Sequence, residues 1–236
     1  MLHTEQIVKA NIRTREGRRV FLLPRGDTLT PGARDWLRSE KIEILPDDQG
    51  KNREYRGING EILKEKPENM THIRDLTLVE KTHPRILFRG ALDGLRAEIL
   101  LCALAVPEER GALEALLALT REILRREVLE EPLPEWTIEG LTPAQIREYS
   151  HFPGKYWGQP HFMPELGDGE AILRLNRLRT LVRRAELKAV AAFSDGRGGL
   201  TREDIPLALN RMSGMVYLLM IRQKKRRSGA DWEGTH

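Results

Sequence analysis

The stretch Glu170-Ala-Ile-Leu-Arg-Leu-Asn-Arg-Leu-Arg-Thr-Leu-Val-Arg-Arg-Ala-Glu-Leu-Lys-Ala-Val190 decides the fold. Ile172, Leu175 and Val182 recur at helical spacing, so it reads as one long helix with a core-facing stripe. Residues 201–222 predict a final helix, with Thr201 as cap and Met212, Met215, Val216 and Leu219 on its apolar face. Upstream, residues 108–130 place Leu113, Leu116, Leu117, Ile123 and Leu124 at the same period, and an apolar stripe over 86–106 stops at Pro107. Thr142-Pro143 opens another helix, because Thr caps well and Pro is preorganised for the first helical position. Four or five helices with little strand signal predict a mainly α chain, an antiparallel four/five-helix bundle.

The bundle is expected to span residues 70–236. Residues 1–48 read as a small α/β unit. Its first strand is Arg19–Leu23, bounded by Pro24 and Gly26. Thr30-Pro31 opens a helix through Ala33, Trp36 and Leu37, and Lys41–Leu45 is a second strand. Residues 49–69 are polar and glycine-containing, and read as a linker. Residues 151–169 hold three Pro and four Gly, so they form a long irregular loop of the kind that often carries function.

Of 236 residues, 40% are apolar and 31% charged, as in an ordinary globular protein large enough to bury a core without staples. The one cysteine, Cys102, sits in an apolar run and reads as a buried small hydrophobe. It excludes an intrachain disulfide framework and fits a reducing cytosol. No apolar run is long enough to span a bilayer, and the N-terminus lacks a secretory h-region, so a cytoplasmic protein is expected. The net charge of +4 is concentrated in Arg222–Arg227, read as a solvated terminus. A polyanionic partner of that charge could be a nucleotide triphosphate as easily as a nucleic acid.

Chemistry concentrates on the last two helices. Arg179, Arg183 and Glu186 fall at i, i+4 and i+7, so one face presents two guanidiniums and a carboxylate beside the core stripe. Guanidinium grips phosphate oxygens through paired N–H groups and keeps its charge. Spacing alone fits a solvated face laced with i,i+4 pairs better than a ligand site. Asn210-Arg211, flanked by apolar residues, could read a ribose, base or phosphate. On its own it fits a plain surface pair better. His72, His83, His151 and His161 lack a metal-ligand spacing and read as ordinary hydrogen-bonded histidines.

Taken together, these motifs carry a resemblance. Arg179-Thr-Leu-Val-Arg183-Arg184-Ala185-Glu186 followed by Leu209-Asn210-Arg211-Met212-Ser213 resembles the late signature of ATP-dependent corrinoid adenosyltransferases with the PduO-like fold. Lys81-Thr-His-Pro84-Arg85, Gly90 and Asp93 resemble that family's segment at the first bundle helix. Leu29-Thr30-Pro31-Gly32-Ala33-Arg34, Thr71-His72 and the pattern His151, Pro153, Tyr156, His161, Pro164 look like its ethanolamine-utilisation, EutT-type branch. The resemblance covers nearly all of the chain.

It implies transfer of the 5′-deoxyadenosyl group of ATP to cob(I)alamin, with Mg2+, giving adenosylcobalamin for ethanolamine ammonia-lyase. It places Arg179, Arg183, Glu186, Arg184, Asn210 and Arg211 around the nucleotide and Lys81 on the triphosphate. Asp93 would pair with Arg179 across a subunit interface in a trimer or dimer. Phe162 would cover the lower face of the corrin. A microcompartment association is a further implication.

Two departures stand out. The Gly-rich Thr-Gly-Asp phosphate loop of the propanediol branch is absent, so the phosphate grip must be partly rebuilt, with residues 70–82 as the expected source. Residues 46–70 hold neither Cys nor His, which rules out a thiolate metal site there. Gly214 also replaces an Asp typical of the propanediol branch. The rival readings are a corrinoid-binding delivery protein without chemistry and a helical nucleic-acid binder. No helix-turn-helix pattern or aromatic RNA surface supports the latter.

Overall fold

The computed structural model describes residues 2–15, 18–24, 26–47 and 54–229. The chain divides into two compact units, residues 1–79 and 80–236. It is mainly helical among the described residues.

In the first unit, β1 (Leu2–His3), α1 (Glu5–Ala10), β2 (Arg13–Arg15), β3 (Arg18–Pro24), β4 (Thr28–Leu29), α2 (Pro31–Ser39) and β5 (Glu43–Asp47) follow in order. β3 and β5 pair in parallel, which requires the crossover that α2 supplies. Thr30 Oγ1 accepts the Ala33 N–H at 3.3 Å and starts α2 as its sequence predicts. Val8, Phe21, Leu37 and Ile42 form the core of this α/β layer.

The expected linker is not featureless, and the helical region does not begin at residue 70. β6 (Tyr55–Gly57), β7 (Ile62–Leu63), β8 (Met70–Arg74) and β9 (Thr77–Glu80) form a sheet in the order β7-β6-β9-β8. β6 pairs with β7 across a turn in which Gly60 takes φ 89°, a left-handed conformation that glycine adopts without strain. These strands are two to five residues long, too short for alternation to show. Residue 48 of the expected α/β unit and residues 49–53 of the expected linker lie outside the described residues.

The second unit holds α3 (Pro84–Ala105), α4 (Arg110–Leu129), α5 (Pro143–His151), α6 (Pro153–Trp157), α7 (Glu170–Phe193) and α8 (Asp204–Arg227). α7 packs on α8 and α3, α3 on α4, and α5 on α8. α8 is buried on most of its surface, from Ile205 through Met212 and Leu219 to Gln223. Such a helix is the centre of its unit rather than a surface element. Thr142 caps α5 in a full capping box with Gln145. Thr201 does not cap α8; its N–H and hydroxyl both bond Phe193 O, and α8 begins three residues later at Asp204.

The basic run 222–227 is not a solvated tail. Arg222 and Arg226 pair with the buried carboxylate of Glu109, Lys224 pairs with Asp168, and Arg227 bonds Gly167 O. Glu127, fully buried, is likewise held by Arg85 and Arg89 at 2.6 Å each. Buried carboxylates persist only when paired in this way. Among the described residues no helix is long and apolar enough to cross a membrane.

Candidate functional site

α7 buries Leu175, Leu178, Val182 and Ala185, the three-four spacing of a core stripe. Arg179, Arg183 and Glu186 run alongside it. α8 lies against this edge, and Asn210 Nδ2 donates to Glu186 Oε1 at 2.9 Å. The two sequence motifs therefore meet. Where they meet, a cleft of about 550 Å3 opens, lined by Arg179, Arg183, Asn210 and Arg211, with Arg147 and His151 contributed by α5. That volume suits a small-molecule site, typically about 300–1,000 Å3.

The electrostatics of the cleft are one-sided. Arg85, Arg89, Arg126, Arg202 and Arg222 elsewhere in this unit are matched to carboxylates. Among the described residues, the guanidiniums of Arg147, Arg179, Arg183 and Arg211 make no ion pair. Arg179 bonds only the Asn176 amide oxygen, at 3.2 and 3.1 Å. Arg211 bonds the Asn210 side-chain oxygen. Burial, then the charge of Arg183, pulls Arg179 below its ordinary pKa. Burial, then Arg147, does the same to Arg211, against an opposing pull from Glu186. Like charges gathered with no ion-pair partner, and only Glu186 near enough to oppose them, cost stability, and an arriving anion reverses the cost.

One wall of the cleft is tied to the irregular loop by Tyr217. Its hydroxyl accepts the Phe162 N–H at 3.0 Å and lies 3.2 Å from His161 Nδ1. His161 Nε2 lies 3.0 Å from the His151 carbonyl. A carbonyl only accepts, so Nε2 carries a proton. The Phe162 ring stacks on Tyr217 at 6.0 Å, with the Lys224 ammonium 5.2 Å from its centre. Phe162 thus sits one ring behind the cleft wall rather than in it. Beside it, Met163 and Leu166 are 80% and 88% exposed.

The remaining expected residues lie apart. Arg184 lines a separate, largely apolar groove between α3 and α7. Asp93 pairs with Arg96 at 3.3 Å, on its own helix, and makes no bond to Arg179 within the chain. Lys81 is exposed just before α3 and does not line the cleft. Sequence reading passed over Arg147 and Tyr217 and treated His151 and His161 as ordinary. The signal was present for three of them. Arg147 and His151 are one turn apart on α5, and Tyr217 lies two turns beyond Asn210 on α8.

Comparison with known proteins is decisive at this point. The cobalamin adenosyltransferase family matches residues 62–223. The corrinoid adenosyltransferase EutT of Salmonella typhimurium is 31% identical, over 92% of this chain and 90% of that one. Corrinoid adenosyltransferase EutT of Escherichia coli K12 is 30% identical over the same shares. The chain belongs to the cobalamin adenosyltransferase family. The family match spans α3 to α8 and takes in every residue lining the cleft. The EutT similarity, at 92% of the chain, extends into most of the first unit, which lies largely outside that match.

Proposed function

We propose that this family member transfers the 5′-deoxyadenosyl group of ATP to the cobalt of reduced cobalamin, with the triphosphate held in the arginine cleft. The observation that carries this is the convergence of four guanidiniums without carboxylate partners beside the Asn210–Glu186 bond. Cobalamin is the substrate. Co(I) attacks C5′ of ATP, forming a Co–C bond. The C5′–O bond breaks, its electron pair leaves with the triphosphate, and the metal ends as Co(III). The negative charge growing on the leaving oxygen is what Arg179, Arg183 and Arg211 meet. The step needs no proton transfer, which accords with a cleft rich in fixed charge.

Mg2+ bound with ATP would neutralise phosphate charge. Among the described residues no group of three or more His, Cys, Asp or Glu converges, so the chain offers Glu186, acting through water, and leaves most ligation to the phosphates. Phe162, with Met163 and Leu166 beside it, would cover the lower face of the corrin and exclude water and a lower ligand there. The bundle is proposed to be of the PduO-like type. It would work in the cytoplasm as a trimer or dimer in which Asp93 reaches Arg179 of a neighbour and Lys81 adds to the phosphate site. Its product would serve ethanolamine ammonia-lyase, in association with a microcompartment.

The test is anaerobic incubation with ATP, Mg2+ and cob(I)alamin, followed by visible spectra. A photolabile Co–C product is expected. Corrinoid binding without that product would make the chain a delivery protein instead.

A further inference from the structure

We propose that α5 rebuilds the phosphate grip of this enzyme, with Arg147 as a direct ligand of the nucleotide's triphosphate. The proposal rests on the arginine cleft being the nucleotide site. Three observations lead to it. Arg147 projects into the same cleft as Arg179, Arg183 and Arg211, but from a different helix. A ligand in the cleft would therefore meet cations from three helices, which suits a chain of phosphates. Among the described residues its guanidinium has no hydrogen-bond or ion-pair partner, although it lies near enough to Arg211 to depress that group's pKa. Two cations held together without a shared carboxylate are stabilised by an anion placed between them.

The third observation is how α5 gets there. At Gly214 of α8 an added Cβ would lie 3.0 Å from Ser150 Oγ and 3.4 Å from Ile146 Cγ2, both on α5. The two helices touch at a residue without a side chain. Ser150 is three residues from Arg147, and its hydroxyl bonds the Arg147 carbonyl at 3.1 Å. The same carbonyl takes the His151 ring nitrogen Nδ1 at 2.8 Å. Gly214 thus sets the depth of α5, and two side-chain bonds brace the turn that carries Arg147. A carboxylate at position 214 would do the opposite twice over. It would hold α5 away and bring a negative charge against the site.

Calorimetric titration of the full-length protein with ATP and with inorganic tripolyphosphate tests this. Arg147→Ala is expected to weaken both ligands by roughly tenfold or more, the scale of a charge-assisted hydrogen bond. Arg147→Lys should recover part of the loss. The melting temperature should hold, since no carboxylate is orphaned. Arg183→Ala serves as the control. If it weakens both ligands while Arg147→Ala weakens neither, the role of Arg147 is overturned and the cleft stands. If neither variant changes affinity, the cleft itself is the wrong site. Gly214→Ala should lower ATP affinity in the parent and add nothing to Arg147→Ala. An equal loss in both backgrounds overturns the part given to Gly214.

Discussion

Arg183→Ala separates binding from stability. Arg183 is exposed on α7, one turn from Arg179, and makes no ion pair among the described residues. Its removal orphans nothing. It relieves like-charge repulsion at i,i+4, worth about 0.2–0.5 kcal/mol. Alanine also favours the helix slightly. The variant should therefore be as stable as the parent or more so by about 0.5 kcal/mol. Binding should move the other way. A hydrogen bond to a charged partner contributes about 1.5–3 kcal/mol, so the ATP dissociation constant should rise about tenfold to about 150-fold. The assay is paired: calorimetric titration with ATP at fixed ionic strength, and urea unfolding of the same samples. Arg85→Ala is the contrast, because it strips one partner from the buried carboxylate of Glu127. It should cost about 3 kcal/mol, the low end for a broken buried pair, since Arg89 remains. Unchanged ATP affinity in Arg183→Ala would refute the reasoning. So would an affinity loss accompanied by a stability loss like that of Arg85→Ala.

Phe162→Ala should lower turnover far more than ATP affinity, because the ring lies behind the cleft wall rather than in it; steady-state kinetics showing equal losses would count against the role given to that ring. His83 caps α3 by accepting the Arg85 N–H, and burial, then Arg85 and Arg89, hold its pKa below the ordinary value. The unfolded chain therefore takes up a proton near pH 6.5 that the folded chain refuses, and stability falls as pH drops through that value. His83→Asn keeps a capping acceptor and should show a smaller fall in urea midpoint between pH 7.5 and 5.5; an identical fall would exclude His83 as a source. Cys102 is buried, and burial, then Glu98, pushes its thiol up to about 11. At pH 8 only about one thiol in a thousand is ionised. A thiol reagent should label it on unfolding and not before; rapid labelling of the native protein would contradict its placement.

The helical unit was legible because its elements are long. α3, α4, α7 and α8 each run for 20 residues or more, so the apolar period repeats several times. The sheet over 55–80 was not, because its strands are short and β6 finds its parallel partner some 20 residues on. Asn59-Gly60 was the available clue, a strong hairpin turn signal inside a stretch read as linker. At the site, spacing put Arg179, Arg183 and Glu186 on one helix face, but only the resemblance, which Asn210 shares, pointed to a ligand there. Which cations lacked partners was not legible. The run 222–227 looked like free charge but is consumed by Glu109 and Asp168, more than 50 residues away in sequence. Arg147 looked like one charge among many, yet it faces the cleft. Pairing is a property of three-dimensional neighbours, and neither local spacing nor net charge reports it.

Nucleotide phosphate is expected to lie between α7, α8 and α5. A crystal structure of the protein with ATP tests it most directly. The triphosphate is expected within hydrogen-bond reach of Arg179 and Arg183, with Asn210 beside the nucleoside. ATP seated in the apolar groove beside Arg184, with the arginine cleft empty, would contradict the account.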